Sequence, residues 1–268
     1  AYKRQDAIKK NFLIYTPDEE AWVPATLTHR GKTVKVDIRL KGLGAEHWRD
    51  EDAWSFKIKV KGDDTLFGMR RFALQGPGHR GFMQGWYWHK LLRYNGLIAL
   101  RYDFVDVTVN GKHLSVYVIE ENFDKRLLEN NNLREGPIFW ANLAPFLALK
   151  ATHFYQSDKY AQKTGFIKMA QIAENLIEGY REGDLPLTKV FDVNKMGKLL
   201  ALTDLVGNYH TLALTNTRYY YNPVTGFIEP IAYDNNNINP LSKLSFIGAG
   251  RRFTDHENED SDWEWPLA

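Results

Sequence analysis

The chain has 268 residues, 44% of them hydrophobic and 14% aromatic, with a formal net charge of +2. That is enough for a sizeable core, in one large domain or two lobes, and so small a net charge gives no nucleic-acid signature. With no cysteine, disulfides, thiolate metal sites and cysteine nucleophiles are excluded, and no run of about eighteen apolar residues marks a membrane span.

The sequence begins at Ala1 rather than Met and shows no signal-peptide pattern. We read it as a processed fragment that has lost a leader or anchor, with an extracytoplasmic or cell-envelope location as the expectation. The first twenty residues read as a short polar helix and a turn at Thr16-Pro17-Asp18. Trp22 to Thr28 and Thr33 to Leu40 then form a hairpin around Arg30-Gly31-Lys32. In its second strand Val34, Val36, Ile38 and Leu40 alternate with Lys35, Asp37, Arg39 and Lys41, the period of a sheet with one buried face. Trp54 to Lys61 alternates in the same way, and Arg70 to Gln75 is a further strand. A helix follows from Gly81 to Tyr94, its broad apolar side made by Phe82, Trp86, Trp88, His89, Leu91 and Leu92. Asp103 to Val109 and Leu114 to Ile119 flank Asn110-Gly111, the preferred pair for a type I′ hairpin turn.

Beyond Glu120-Glu121 the character changes. Asp124 to Asn130 reads as helix, Leu143 to His153 as irregular, and Tyr155 to Tyr180 as one long helix. Asp192 caps a helix that runs to Val206. After a loop from Gly207 to Thr215, Thr217 to Tyr221 and Phe227 to Tyr233 form a last hairpin around Asn222-Pro223-Val224-Thr225-Gly226. The segment from Arg251 to Asp262 is charged and reads as a weakly ordered tail. The expected organisation is α+β: a strand-rich N-terminal lobe over residues 1–121, with 1–20 as a helical extension, and a helical C-terminal lobe over 122–268. A cleft between two lobes is a natural ligand site.

Asn216 stands at the entrance of the last hairpin and Asp234 at its exit, before three asparagines. A hairpin brings its ends together, and magnesium takes hard oxygen ligands. The same two residue types also dominate ordinary turns, so the pattern leaves both readings open. Lys57 lies on the polar side of its strand, where a lysine reaches phosphates as a point charge or forms a solvated row with Lys59 and Lys61. Arg39, Lys41 and Gly42 on the neighbouring strand add cations and room for a phosphate, although Lys41-Gly42-Leu43-Gly44 is not a P-loop. Glu120 and Glu121 end a buried strand; they fit either a nucleotide-facing seam, with Glu121 on a ribose hydroxyl, or an exposed linker. Asp204, Asn208 and His210 crowd one helix end. There a carboxylate can deprotonate a hydroxyl and a histidine can act as base or phosphate partner, or the group simply satisfies a helix terminus. No zinc spacing and no Gly-x-Ser-x-Gly elbow occurs.

Collinear segments carry a resemblance: Ile38-Arg39-Leu40-Lys41-Gly42, Trp54-Ser55-Phe56-Lys57-Ile58-Lys59, Leu66-Phe67-Gly68-Met69-Arg70-Arg71-Phe72, Val109-Asn110-Gly111 through Tyr117, and Asn216 through Asp234. Together they resemble the spore coat protein H (CotH) kinase family. The resemblance implies a bilobal, protein-kinase-like fold that binds ATP with magnesium or manganese, and a protein substrate or the chain itself as acceptor. It implies Lys57 as the phosphate-binding lysine with Arg39 or Lys41, Glu120 and Glu121 as the hinge, and Asn216 and Asp234 as metal ligands. For the residue that orients the nucleophile two readings stay open: Asp204 does that work, or the base is missing and His210 has another role. The sequence departs from the family in three places. Leu43-Gly44-Ala45-Glu46-His47-Trp48 replaces a Gly-Ser-Ser segment. The helix from Gly81 to Tyr94 contains no acid to pair with the lysine, leaving Glu46 or Gln84 as substitutes. The loop Gly207-Asn208-Tyr209-His210-Thr211 holds no carboxylate where the family has its catalytic aspartate. Phosphorylation of Ser or Thr is the expected reaction. AMP transfer, ATP-dependent glutamylation and a non-catalytic envelope-binding module are the alternatives.

Overall fold

The computed structural model describes residues 22–42, 47, 54–143, 152–155, 163–212 and 216–235. The helix expected before Trp22, the charged segment after Arg251 and the substitute Glu46 lie outside them. The fold is mixed α and β, with antiparallel sheets and few helices, and it divides into two compact units. One contains the described residues up to His89 together with Leu100–Asn130; the other contains Lys90–Ala99 and the described residues from Asn131 onward.

The first unit is built on six strands: β1 (Val23–His29), β2 (Lys32–Leu40), β3 (Phe56–Val60), β4 (Arg71–Gln75), β5 (Tyr102–Val109) and β6 (Lys112–Glu121), in the sheet order β1-β2-β3-β4-β6-β5. Asn110 and Gly111 both take positive φ, at 50° and 81°, as a type I′ turn requires. The alternation read from the sequence becomes two faces. Val34, Val36, Phe56, Ile58, Val60, Phe72, Leu74, Tyr117 and Ile119 belong to one apolar cluster. Burying each such side chain is worth roughly 1.5–3 kcal/mol, which holds the strands in register. Residues directly opposite one another in antiparallel strands share a face. Register therefore sets a row on the other face: Arg39 opposite Lys57, Lys57 opposite Ala73, Ala73 opposite Glu120, Glu120 opposite Tyr102. Helix α1 (Met83–Tyr94) follows a short 3-10 turn at Pro77–Arg80. The helix starts two residues later than expected because Phe82 takes φ 56°, outside the helical range. Its His89 ring lies 5.4 Å from that of Tyr102, so the helix covers the Tyr102 end of the polar face. Helix α2 (Lys125–Asn130) closes the unit, with Asp124 Oδ1 accepting from the Arg126 amide at 2.7 Å.

The second unit has a four-stranded sheet in the order β10-β9-β7-β8, from β7 (Ile138–Ala141), β8 (Thr152–Phe154), β9 (Arg218–Tyr221) and β10 (Ile228–Ile231). Helices α3 (Thr164–Arg181), α4 (Leu187–Val190) and α5 (Val193–Val206) complete it. Phe139, Ala173, Ile177, Phe191, Met196, Tyr219 and Ile228 belong to its core. Asp192 caps α5 as expected, its Oδ1 accepting from the Lys195 amide at 3.1 Å. Two expectations are corrected. The stretch read as irregular contains β8, which pairs with β7 through Phe139 and Phe154. The long helix read from Tyr155 begins, among the described residues, at Thr164, because Tyr155 extends the pairing of β8, its amide donating to the Ile138 carbonyl at 2.9 Å.

Candidate functional site

In the first unit the site residues are strand residues placed by register. Lys41 follows β2 and is 6% exposed, yet it carries a charge. Its Nζ donates to Gln75 Oε1 at 2.5 Å and to Glu120 Oε2 at 2.7 Å. Arg80 Nε lies 3.6 Å from Glu120 Oε1, so two cations grip the two oxygens of one buried carboxylate. Buried ions persist only when paired and hydrogen-bonded; the Lys41 ammonium meets that demand through Gln75 and Glu120 Oε2, whereas Arg80 meets Glu120 Oε1 as an ion pair longer than a hydrogen bond. The carboxylate that pairs with Lys41 comes from β6. Tyr102, opposite Glu120, has its hydroxyl pKa raised, chiefly by burial and then by the Glu120 charge. Arg39 and Lys57 occupy the same row as Glu120, both half-buried. Glu121 points to the other face. Its Oε2 accepts from the Arg101 amide at 2.9 Å and its Oε1 pairs with the Arg101 guanidinium. The Glu121 amide donates to the Arg101 carbonyl, and the Asn122 amide to the Arg71 carbonyl. Both of these amides are thus paired with backbone carbonyls.

In the second unit the site gathers on the 3-10 turn Tyr209–Leu212. Asn216 Nδ2 donates to the His210 carbonyl at 2.9 Å, and His210 Nε2 lies 3.6 Å from Asp234 Oδ2. Thr211 Oγ1 donates to the Tyr233 carbonyl at 2.8 Å, and Thr217 Oγ1 to the Thr211 carbonyl at 3.0 Å. Both mouths of the β9–β10 hairpin are fastened to the same turn, so Asn216 and Asp234 come together at His210. Asp234 takes φ 59°, a left-handed conformation that Asp tolerates better than most residues. Asp204 sits in the last turn of α5, where the helix dipole disfavours a carboxylate; Gly207 ends that helix at φ 65°. The Arg218 guanidinium lies 5.3 Å from the ring centres of both Tyr155 and Tyr233, fixing a cation beside this loop. Burial raises the Tyr155 hydroxyl pKa, and Arg218 opposes the shift.

Among the described residues, no group of three or more His, Asp or Glu side chains converges as a metal site. The donors brought together at His210 include the Asp234 carboxylate and the Asn216 amide. Their oxygens are hard, the chemistry that suits magnesium rather than zinc. Sequence reasoning missed Gln75, Arg80 and Tyr102. Gln75 had a signal, since it ends the apolar strand Phe72-Ala73-Leu74 on the polar face. Arg80 had none, because it ends a short 3-10 turn whose path only the fold defines.

The family profile described as CotH kinase protein matches residues 38–267. The chain is 26% identical over 226 residues to the inner spore coat protein H of Bacillus subtilis (strain 168), covering 79% of this chain and 61% of that protein. The chain thus spans less than two thirds of that relative's length. A match running from β2 past the Asp234 loop takes in both groups of site residues, and the chain belongs to the CotH kinase family.

Proposed function

We propose that this chain is a magnesium–ATP-dependent enzyme with a bilobal, kinase-like fold that modifies proteins, most simply by phosphorylating Ser or Thr on another protein or on itself. The observation that carries this reading is the buried Lys41–Glu120 pair, braced by Gln75 and Arg80, in a chain of a family described as kinases. An ammonium fixed by a carboxylate on rigid strands is a suitable point charge for α- and β-phosphates. Lys41 takes the place first expected for Lys57. Arg39 and Lys57, on the same polar face, supply further positive charge. Glu121 braces the end of β6 through Arg101. Asp234, with Asn216, would hold magnesium or manganese, which supplies charge compensation for the phosphates when bound. Asp204 accepts the proton of the attacking hydroxyl as the acceptor oxygen bonds to the γ-phosphorus and ADP leaves. His210, fixed by Asn216 and Asp234, lines the same loop as a phosphate partner.

The loop Gly207–Leu212 holds His210 and no carboxylate, which favours a second reading with the same fold and cofactor: AMP transfer or ATP-dependent glutamylation. The relative from Bacillus subtilis is named for the inner spore coat, and we propose coat or envelope association for this chain too. No helix among the described residues is long and apolar enough to cross a membrane.

The test is a thermal-shift titration with ATP and magnesium, followed by incubation with γ-labelled ATP and candidate acceptors, run against Asp234→Ala and Lys41→Met. A midpoint rise with label transfer, both lost in the variants, is the expected result. Nucleotide binding without label transfer defeats phosphorylation and leaves the second reading. No midpoint rise at all leaves a binding module.

A further inference from the structure

Two asparagines beside the Asp234 loop carry amides that the fold has buried without partners. Asn208 is 0% exposed and Asn235 is 1% exposed. In both, the side-chain Nδ2 and Oδ1 atoms are buried with no hydrogen-bond partner among the described residues. Buried polar atoms are nearly always hydrogen-bonded, because an orphaned amide forfeits the bonds it made in water. Isolated exceptions occur in native proteins. Here all four amide atoms of two residues are orphaned, and the backbone draws both residues to one place. Asn208 opens the turn that carries His210 and Thr211, and Asn235 directly follows Asp234. The two segments are joined by the Thr211–Tyr233 hydrogen bond and by the approach of His210 to Asp234.

Asn216 differs from this pair, since its amide nitrogen is engaged by the His210 carbonyl. A divalent hard cation needs several oxygen ligands, and an amide oxygen is one. With Asp234 as the carboxylate that anchors the ion, neutral amides would add ligand oxygens without adding negative charge. We propose that Asn208 and Asn235 are neutral oxygen ligands, direct or through one water, of the divalent cation that Asp234 anchors. This rests on the reading of Asp234 given above. A site of this charge binds a bare ion weakly and binds it well only together with the nucleotide's phosphates.

The experiment measures Mn²⁺ binding to the full chain by electron paramagnetic resonance, with and without a non-hydrolysable ATP analogue, alongside the metal-free unfolding midpoint. For Asn208→Leu and Asn235→Leu, Mn²⁺ affinity in the presence of nucleotide falls at least tenfold, while the metal-free midpoint holds or rises because an orphaned amide has been removed. Asn208→Asp and Asn235→Asp retain an oxygen ligand and tighten Mn²⁺ binding. Leucine variants that bind Mn²⁺ like the parent overturn the inference; loss of binding in Asp234→Ala alone would then leave the Asp234 reading standing. Aspartate variants that leave Mn²⁺ affinity unchanged or weaken it also overturn the inference, even if the leucine variants fail to fold. A parent chain that binds no Mn²⁺ with nucleotide present sinks the inference and the Asp234 reading together.

Discussion

Lys41 and Lys57 are equivalent along the chain, each in an alternating strand and each on the polar side. Register separates them. Lys57 remains half-buried between Arg39 and Ala73, whereas Lys41 is enclosed with Gln75 and Glu120. Breaking a buried ion pair from one side costs roughly 3–5 kcal/mol, because the remaining charge stays buried. Lys41→Met should therefore destabilise the chain by about that much in urea unfolding. Asp124 gives a pH test. Burial is the largest influence on its carboxyl and raises its pKa, with hydrogen bonds from the Arg126 and Leu127 amides opposing. A folded-state value above the unfolded one means a contribution that is present below the unfolded carboxylate range and lost as pH rises through the folded value. Asp124→Asn keeps an amide oxygen able to cap α2 and removes the titration. Its stability relative to the parent should improve as pH is raised from about 4 to 7, read from urea midpoints.

At the scale of elements, the segment after β2 depends on a glycine. Gly42 takes φ 90°, and a Cβ there would lie 2.0 Å from the His47 ring. The Lys41 amide donates to the Ser55 carbonyl, and the Ser55 amide to the His47 carbonyl, so this turn holds the base of Lys41. Gly42→Ala should cost about 1–3 kcal/mol in strain and weaken ATP-induced stabilisation, measured together by thermal shift. Helix α5 depends on its cap. Asp192→Ala should cost about 0.5–2 kcal/mol, with faster amide hydrogen exchange in the first turn of α5. Element type was legible wherever periodicity was strong, as in β2, β3 and α5. It failed where pairing overrode local preference: β7 and β8 are short, and each is a strand because a partner completes its hydrogen bonds.

For the whole molecule, the transferred group is the open quantity, and intact mass reads it directly. After incubation with ATP, magnesium, glutamate and an acceptor, the mass of one phosphate should appear on the acceptor or on the chain. The mass of AMP or of glutamate instead would establish the second reading. The sequence by itself determined the composition class, the absence of cysteine chemistry, the alternating faces of β2 and β3, the two hairpin turns at Arg30-Gly31 and Asn110-Gly111, and the candidate oxygen ligands Asn216 and Asp234. Those features depend on residues near one another in the chain, where period and turn chemistry act. Only the tertiary structure decided which lysine meets a glutamate, that Glu120 and Glu121 face opposite sides of β6, and that Asn208 and Asn235 lose their hydrogen bonds on burial. Each of those depends on register or packing between distant segments, which local preference does not encode.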